Sequence, residues 1–262
     1  MLNSFHRQAP KTPFSFKRHI VPPLAGIAVT LLVMCALNVE LVMARVRYQL
    51  AAPSHPASSL ITEQPAGESA PTPDPSAPSR IVIPAIEVDA PVIFDEPSTV
   101  EWKVQLALRR GVVHYGTTGM PGQSGNMVLV GHSSGAPWAP GDYKWVFTLL
   151  DKLEKGDEIK VSYQGIDYIY RVTRKQVVKP EDLTVLDQTA QPMLSLITCT
   201  PVGTSKNRLV VQAEQISPAP PESKSSPLAK PLDRDSHTQL PGASDDSTSF
   251  WQAARDWFRD LF

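Results

Sequence analysis

The chain has 262 residues, with 25 Lys and Arg against 26 Asp and Glu. That balance excludes a nucleic-acid binder that works by neutralising phosphates, which would carry a clear basic excess. Two cysteines, Cys35 and Cys199, exclude a disulfide framework and a multi-cysteine zinc site. The 26 prolines are roughly twice the ~5% expected, while 42% hydrophobic residues still suffice for a core. Together they imply one folded domain with low-complexity flanks.

Residues 1–19 carry Arg7, Lys11, Lys17 and Arg18. They precede the apolar run Ile20–Ala44, whose only charge is Glu40. About 20 apolar residues cross a bilayer, so 20–44 reads as a transmembrane signal anchor. The positive excess on its N-terminal side puts 1–19 in the cytoplasm and the bulk of the chain outside the cell membrane. A cleaved signal peptide is the competing reading, since Val42-Met43-Ala44 loosely fits a cleavage site. Cys35 falls within this run and is separated from Cys199 by the membrane.

Residues 45–79 are a spacer dominated by Ala, Pro and Ser, with no hydrophobic period from 51 onward. Residues 217–249 have the same character and read as a disordered linker. The folded domain therefore lies at 80–216.

Within it, Arg80–Val92 reads as an edge strand and turn broken by Pro84 and Pro91. Glu101–Arg110 and Val146–Leu153 read as short helices. Asn126–His132 is a continuous apolar run between Gly-rich segments, as in a buried strand. Glu158–Tyr163 and Ile166–Thr173 flank Gln164-Gly165, a hairpin signal. Met193–Thr198 and Arg208–Glu214 complete the set. The expected fold is mostly β, a closed or nearly closed barrel with short helices.

The domain holds one cysteine and two histidines, His114 and His132. Cys199 ends the strand LSLIT, where Pro201 and Gly203 break the pattern, and Arg208 opens the next strand nine residues on. A cation beside a thiol favours the thiolate and can stabilise an oxyanion. His132 ends NMVLVGH and is followed by Ser133-Ser134-Gly135, so a buried strand delivers it to a loop. His114, read as lying in a loop after GVV, is the weaker candidate. Thiol and imidazole suffice for nucleophilic catalysis. GxxxxGK[ST], HExxH and CxxC are all missing.

GVVHYGTTGMPGQSGNMVLVGHSS, LDKLEKGDEIKV, Tyr168-x-Tyr170-x-Val172 and LSLITCTP…NRLVV together resemble the sortases, from about Arg80 to Ile216. The resemblance implies an eight-stranded β-barrel cysteine transpeptidase anchored in the membrane. Cys199 would be its nucleophile, His132 its general acid, Arg208 its oxyanion-stabilising residue, and Thr198 a contact to the substrate. The implied partners are surface proteins bearing a Leu-Pro-x-Thr-Gly-like sorting signal, and an amine on peptidoglycan or a pilin. No metal takes part in the implied chemistry, and no compact carboxylate cluster marks the calcium site that some members have. DEPSTVEWKVQ lacks the Asp-Pro-Trp or Asp-Pro-Phe lid motif of pilin-polymerising members, while TCTP is nearer to pilin-class and class D or E sequences. An inactive binding barrel and a hydrolytic cysteine protease are the alternatives. Residues 250–262 read as an amphipathic helix, on the membrane surface or docked on the barrel. Leu240-Pro241-Gly242, lacking the threonine, is not read as a sorting signal.

Overall fold

The computed structural model describes residues 16–37, 39–50, 73–116, 118–135, 139–219 and 239–241. Most of the spacer, most of the linker and the amphipathic segment 250–262 lie outside these residues. The chain divides into two units, Met1–Val42 and Met43–Phe262. The first contains α1 (Phe16–Leu37) and the start of α2 (Val39–Leu50). Among the described residues, no helix is long and apolar enough to cross a membrane.

The second unit is built on eight strands: β1 (Arg80–Ile83), β2 (Val88–Ser98), β3 (Val112–Tyr115), β4 (Gly125–Val130), β5 (Glu158–Tyr163), β6 (Ile166–Val178), β7 (Pro192–Thr200) and β8 (Asn207–Ser217). They close in the order β1-β2-β3-β4-β7-β8-β6-β5, with β5 returning antiparallel to β1. Closure leaves no unpaired sheet edge. The pairs β2–β3 and β4–β7 are parallel, and the remaining pairs are antiparallel. The barrel is thus mostly strand with few short helices, as the sequence predicts.

Alternation along each strand divides the apolar side chains between two layers. Ile81, Ile83, Met127, Leu129, Leu194, Leu196 and Val211 fill the interior core. Val128, Val130, Ile197 and Val210 point the other way. They pack with Val104, Ala107 and Leu108 of α3 (Glu101–Leu108) and with Val185 and Leu186 of a 3-10 turn. Strands β4 and β7 are therefore covered on both faces, which accounts for their continuous apolar runs. Each fully buried Leu, Ile or Val contributes about 1.5–3 kcal/mol, so the two layers supply most of the barrel's stability.

Local chemistry explains where the structure and the sequence-based boundaries differ. Pro84 starts a 3-10 turn at Pro84–Ile86, so Arg80–Val92 is two antiparallel strands, with Ile83 opposite Val88. Gln164 and Gly165 both have positive φ (50° and 75°), the paired left-handed geometry of a tight hairpin. Within Val146–Leu153, only Leu150–Lys152 forms a 3-10 helix. The segment around His114 is not a loop but β3, where each of the four residues is buried.

Candidate active site

Strands β7 and β8 place Cys199 directly opposite Arg208, one residue before the last pair, Thr200 and Asn207. Their spacing of nine is thus the length of a hairpin end. On the other side of β7 runs parallel β4, with Val130 opposite Ile197. His132 lies two residues beyond Val130, past the end of β4, and Cys199 two beyond Ile197 on β7. Neighbouring strands lie about 4.8 Å apart, and β4, β7 and β8 are adjacent, so His132, Cys199 and Arg208 lie toward the same end of three neighbouring strands. Cys199 and Arg208 continue the face formed by Val130, Ile197 and Val210. The local fold thus makes a site from two strand ends and one strand start.

The His132 segment is held by its backbone. Gly131 N–H donates to Ile197 O at 3.1 Å, and Phe147 N–H donates to His132 O at 2.9 Å. Thr148 Oγ1 donates to Ser133 O at 2.6 Å, and Gly203 N–H donates to Ser134 Oγ at 3.0 Å. The last contact ties the loop after β4 to the loop between β7 and β8. Gly131 is required by close approach, because a Cβ there would lie 2.5 Å from the Phe147 ring. Gly131→Ala should therefore destabilise the barrel by about 1–3 kcal/mol, the usual cost of overpacking, and displace His132. Thermal melting combined with a rate measurement tests this; an unchanged melting temperature would remove the steric role.

Thr198 faces away from Cys199, in the phase of Leu196, and its buried hydroxyl donates to Gly131 O at 2.7 Å. In this structure it braces the β4–β7 pair beneath the histidine. His114 is also turned inward, stacked against Phe94 with ring centroids 5.3 Å apart. Its Nε2 lies 3.0 Å from Gly119 O and 3.1 Å from Thr118 Oγ1. The Thr118 proton goes to Tyr115 O, so Nε2–H of His114 is the donor to Gly119 O. This histidine is engaged within the fold and does not join the other three.

Burial shapes the electrostatics. It pushes the Cys199 thiol up, an effect that the Arg208 guanidinium opposes and Glu101 reinforces. Burial also lowers the His132 imidazole. Both groups are therefore neutral near pH 7, and the thiolate–imidazolium pair is a minor form. Cys199 lies outside any disulfide. Arg208 is fully buried, and among the described residues its guanidinium donates to the backbone carbonyls of Ser205, Asn207, Leu240 and Pro241. Glu101, at the start of α3, was not anticipated from the sequence; only its position in a predicted helix was. Among the described residues, no group of three or more His, Cys, Asp or Glu is placed to hold a metal ion.

The chain is thus a closed eight-stranded barrel with Cys199 and Arg208 paired at the end of β7 and the start of β8, and His132 just beyond neighbouring β4. The sortase domain family matches residues 81–216, and the chain belongs to that family. Sortase D of Bacillus subtilis (strain 168) is 26% identical over 134 residues, 50% of this chain and 63% of that protein. Sortase SrtE1 of Streptomyces coelicolor is 31% identical over 164 residues, 56% of this chain and 42% of that protein. The matches thus span less than two thirds of these relatives' own length. A solved Sortase D5 transpeptidase of Clostridium perfringens has 30% identity and a TM-score of 0.44, covering 53% of this chain and 78% of its own.

Proposed function

We propose that the protein is a cysteine transpeptidase that cleaves a Leu-Pro-x-Thr-Gly-like sorting signal and joins the acyl part to an amine. The observation that carries this reading is the pairing of Cys199 with Arg208 across β7–β8, with His132 two residues past the end of β4, which runs beside β7. The Cys199 thiolate attacks the carbonyl carbon of the scissile peptide. Arg208 donates hydrogen bonds to the developing oxyanion and the adjoining carbonyl. The His132 imidazolium gives its proton to the leaving amine, which departs as the thioester forms. An amine on peptidoglycan or a pilin then attacks the thioester. His132 takes its proton, and the thiol is restored as the new amide forms. Every step uses side chains of this chain, and Thr198 acts as a brace beneath the histidine.

The proposed location is the outer face of a cell membrane, with the apolar run Ile20–Ala44 as a single anchor and residues 45–79 as the spacer. Support comes from that run and from the basic residues before it. Incubating the full chain in detergent with a panel of sorting-signal peptides, with and without amine acceptors, tests the function. Intact-mass spectrometry should show a thioester adduct that converts to product faster when amine is present. If water resolves the adduct equally fast with amine present, the enzyme is a hydrolase.

The two histidines should separate cleanly. His132→Ala is expected to lower kcat/KM by at least about 10²-fold, the low end for loss of a positioned acid–base group. His114→Ala should instead cost stability, about 1–3 kcal/mol for the orphaned buried carbonyl, with a smaller effect on rate. A folded His114 variant slower than the His132 variant would reverse the assignment.

A further inference from the structure

The Arg208 guanidinium is already bound to a segment of the same chain. Its Nε–H donates to Pro241 O at 2.8 Å and an Nη2–H donates to Leu240 O at 3.2 Å. Nη1 donates to Ser205 O at 2.9 Å, in the β7–β8 connection, and to Asn207 O at 3.2 Å, at the start of β8. Leu240 in turn donates its N–H to Pro180 O at 2.6 Å, in the connection between β6 and β7. Its side chain is 1% exposed, packed in the outer-wall cluster with Val185, Ile197 and Val210. This is the way an extended peptide binds: successive carbonyls on a cation, one N–H returned to the wall, and one leucine as the apolar anchor. All of it occurs on the wall that carries Cys199, which pairs with Arg208.

We propose that Gln239–Pro241 is a tethered occupant of the sorting-signal groove, a pseudosubstrate that an incoming Leu-Pro peptide must displace. The proposal rests on the transpeptidase reading. Leu240-Pro241 supplies the first two residues of a Leu-Pro-x-Thr-Gly-like signal, whereas Ala243 stands where the threonine would be. The tail therefore carries the residues that bind without the residue after which cleavage falls. The segment follows 218–238 on the same chain, so its binding is intramolecular and independent of protein concentration. Because only the unoccupied fraction of molecules accepts substrate, occupancy raises the apparent KM by the inverse of that fraction and leaves kcat alone.

Leu240→Ala in the full chain should lower KM for a Leu-Pro-Ala-Thr-Gly peptide by at least about 5-fold at unchanged kcat. A synthetic copy of residues 237–243 should inhibit that variant competitively. An unchanged KM, or a fall in kcat accompanied by a lower melting temperature, would make the segment a structural strap and overturn the proposal. A second measurement does not depend on turnover. In the full-length Cys199→Ala chain, hydrogen exchange at the Leu240 amide, which donates to Pro180 O, should be slow and should rise when the same peptide is added at saturation. Slow exchange that the peptide leaves unchanged would overturn the proposal. Failure of the parent to form a thioester, with displacement still seen, would instead count against the transpeptidase chemistry.

Discussion

Cys199→Ala is expected to abolish the thioester adduct with a sorting-signal peptide and to cut kcat by a factor on the order of 10⁶, as for loss of a nucleophile elsewhere. The cause is local. Cys199 is the only thiol on the outer wall, at the end of β7, with Arg208 directly across the ladder. The other cysteine, Cys35, belongs to the other unit of the chain. The replacement should change stability by less than about 1 kcal/mol, because the residue is half-buried at a strand end and the ladder bonds are backbone bonds. A loss of activity can therefore be assigned to chemistry by showing an unchanged melting temperature. Intact-mass spectrometry after incubation with peptide, followed by peptide mapping to residue 199, gives the decisive reading. An adduct on another residue of the folded variant would remove Cys199 from the mechanism.

The elements carrying the site were legible because their sequences are extreme. NMVLV and LSLIT are continuous apolar runs, and the structure shows the reason: α3 and the 3-10 turn at Leu183–Leu186 cover the outer face of strands whose inner face fills the barrel. The nine-residue spacing from Cys199 to Arg208 was equally readable, being the end of a hairpin. β3 was not legible. His114 and Gly116 made VVHY look like a loop, yet the polar ring is accommodated by a bond to Gly119 O and by Phe94. The proximity of Glu101 to the thiol was also invisible, because it depends on where α3 packs. Least legible was Leu240. In a Pro- and Ser-rich stretch a lone leucine reads as linker. Only the tertiary structure shows that its carbonyl meets a guanidinium and its side chain a cluster drawn from several distant elements.

The last expectation concerns Arg208 and the pH dependence that follows from a neutral resting pair. Burial lowers the His132 imidazole and raises the Cys199 thiol. Between those two values the dominant form is thiol with neutral imidazole, holding a small, constant share of thiolate–imidazolium. Below the lowered imidazole value the thiolate share is lost as pH falls; above the raised thiol value the imidazolium acid is lost as pH rises. The profile of kcat/KM should therefore be a bell, with its acid limb below the ordinary imidazole range and its alkaline limb above the ordinary thiol range. Arg208 enters the reaction through its charge and its fork of hydrogen-bond donors. It acts on the bell from outside, since its charge favours the thiolate. Arg208→Ala should move the alkaline limb further up and lower kcat/KM by about 10²–10³-fold, as for loss of an oxyanion donor. Arg208→Lys keeps the charge and should hold the limb near its parental position. It nonetheless recovers little rate, because an ammonium lacks the planar fork that here reaches four carbonyls. Both variants must first be shown to fold, by near-ultraviolet circular dichroism, since each alters a fully buried side chain. Near-parental rates in a folded lysine variant would mean that charge alone suffices at this position, and oriented hydrogen bonding would have to be dropped from the mechanism.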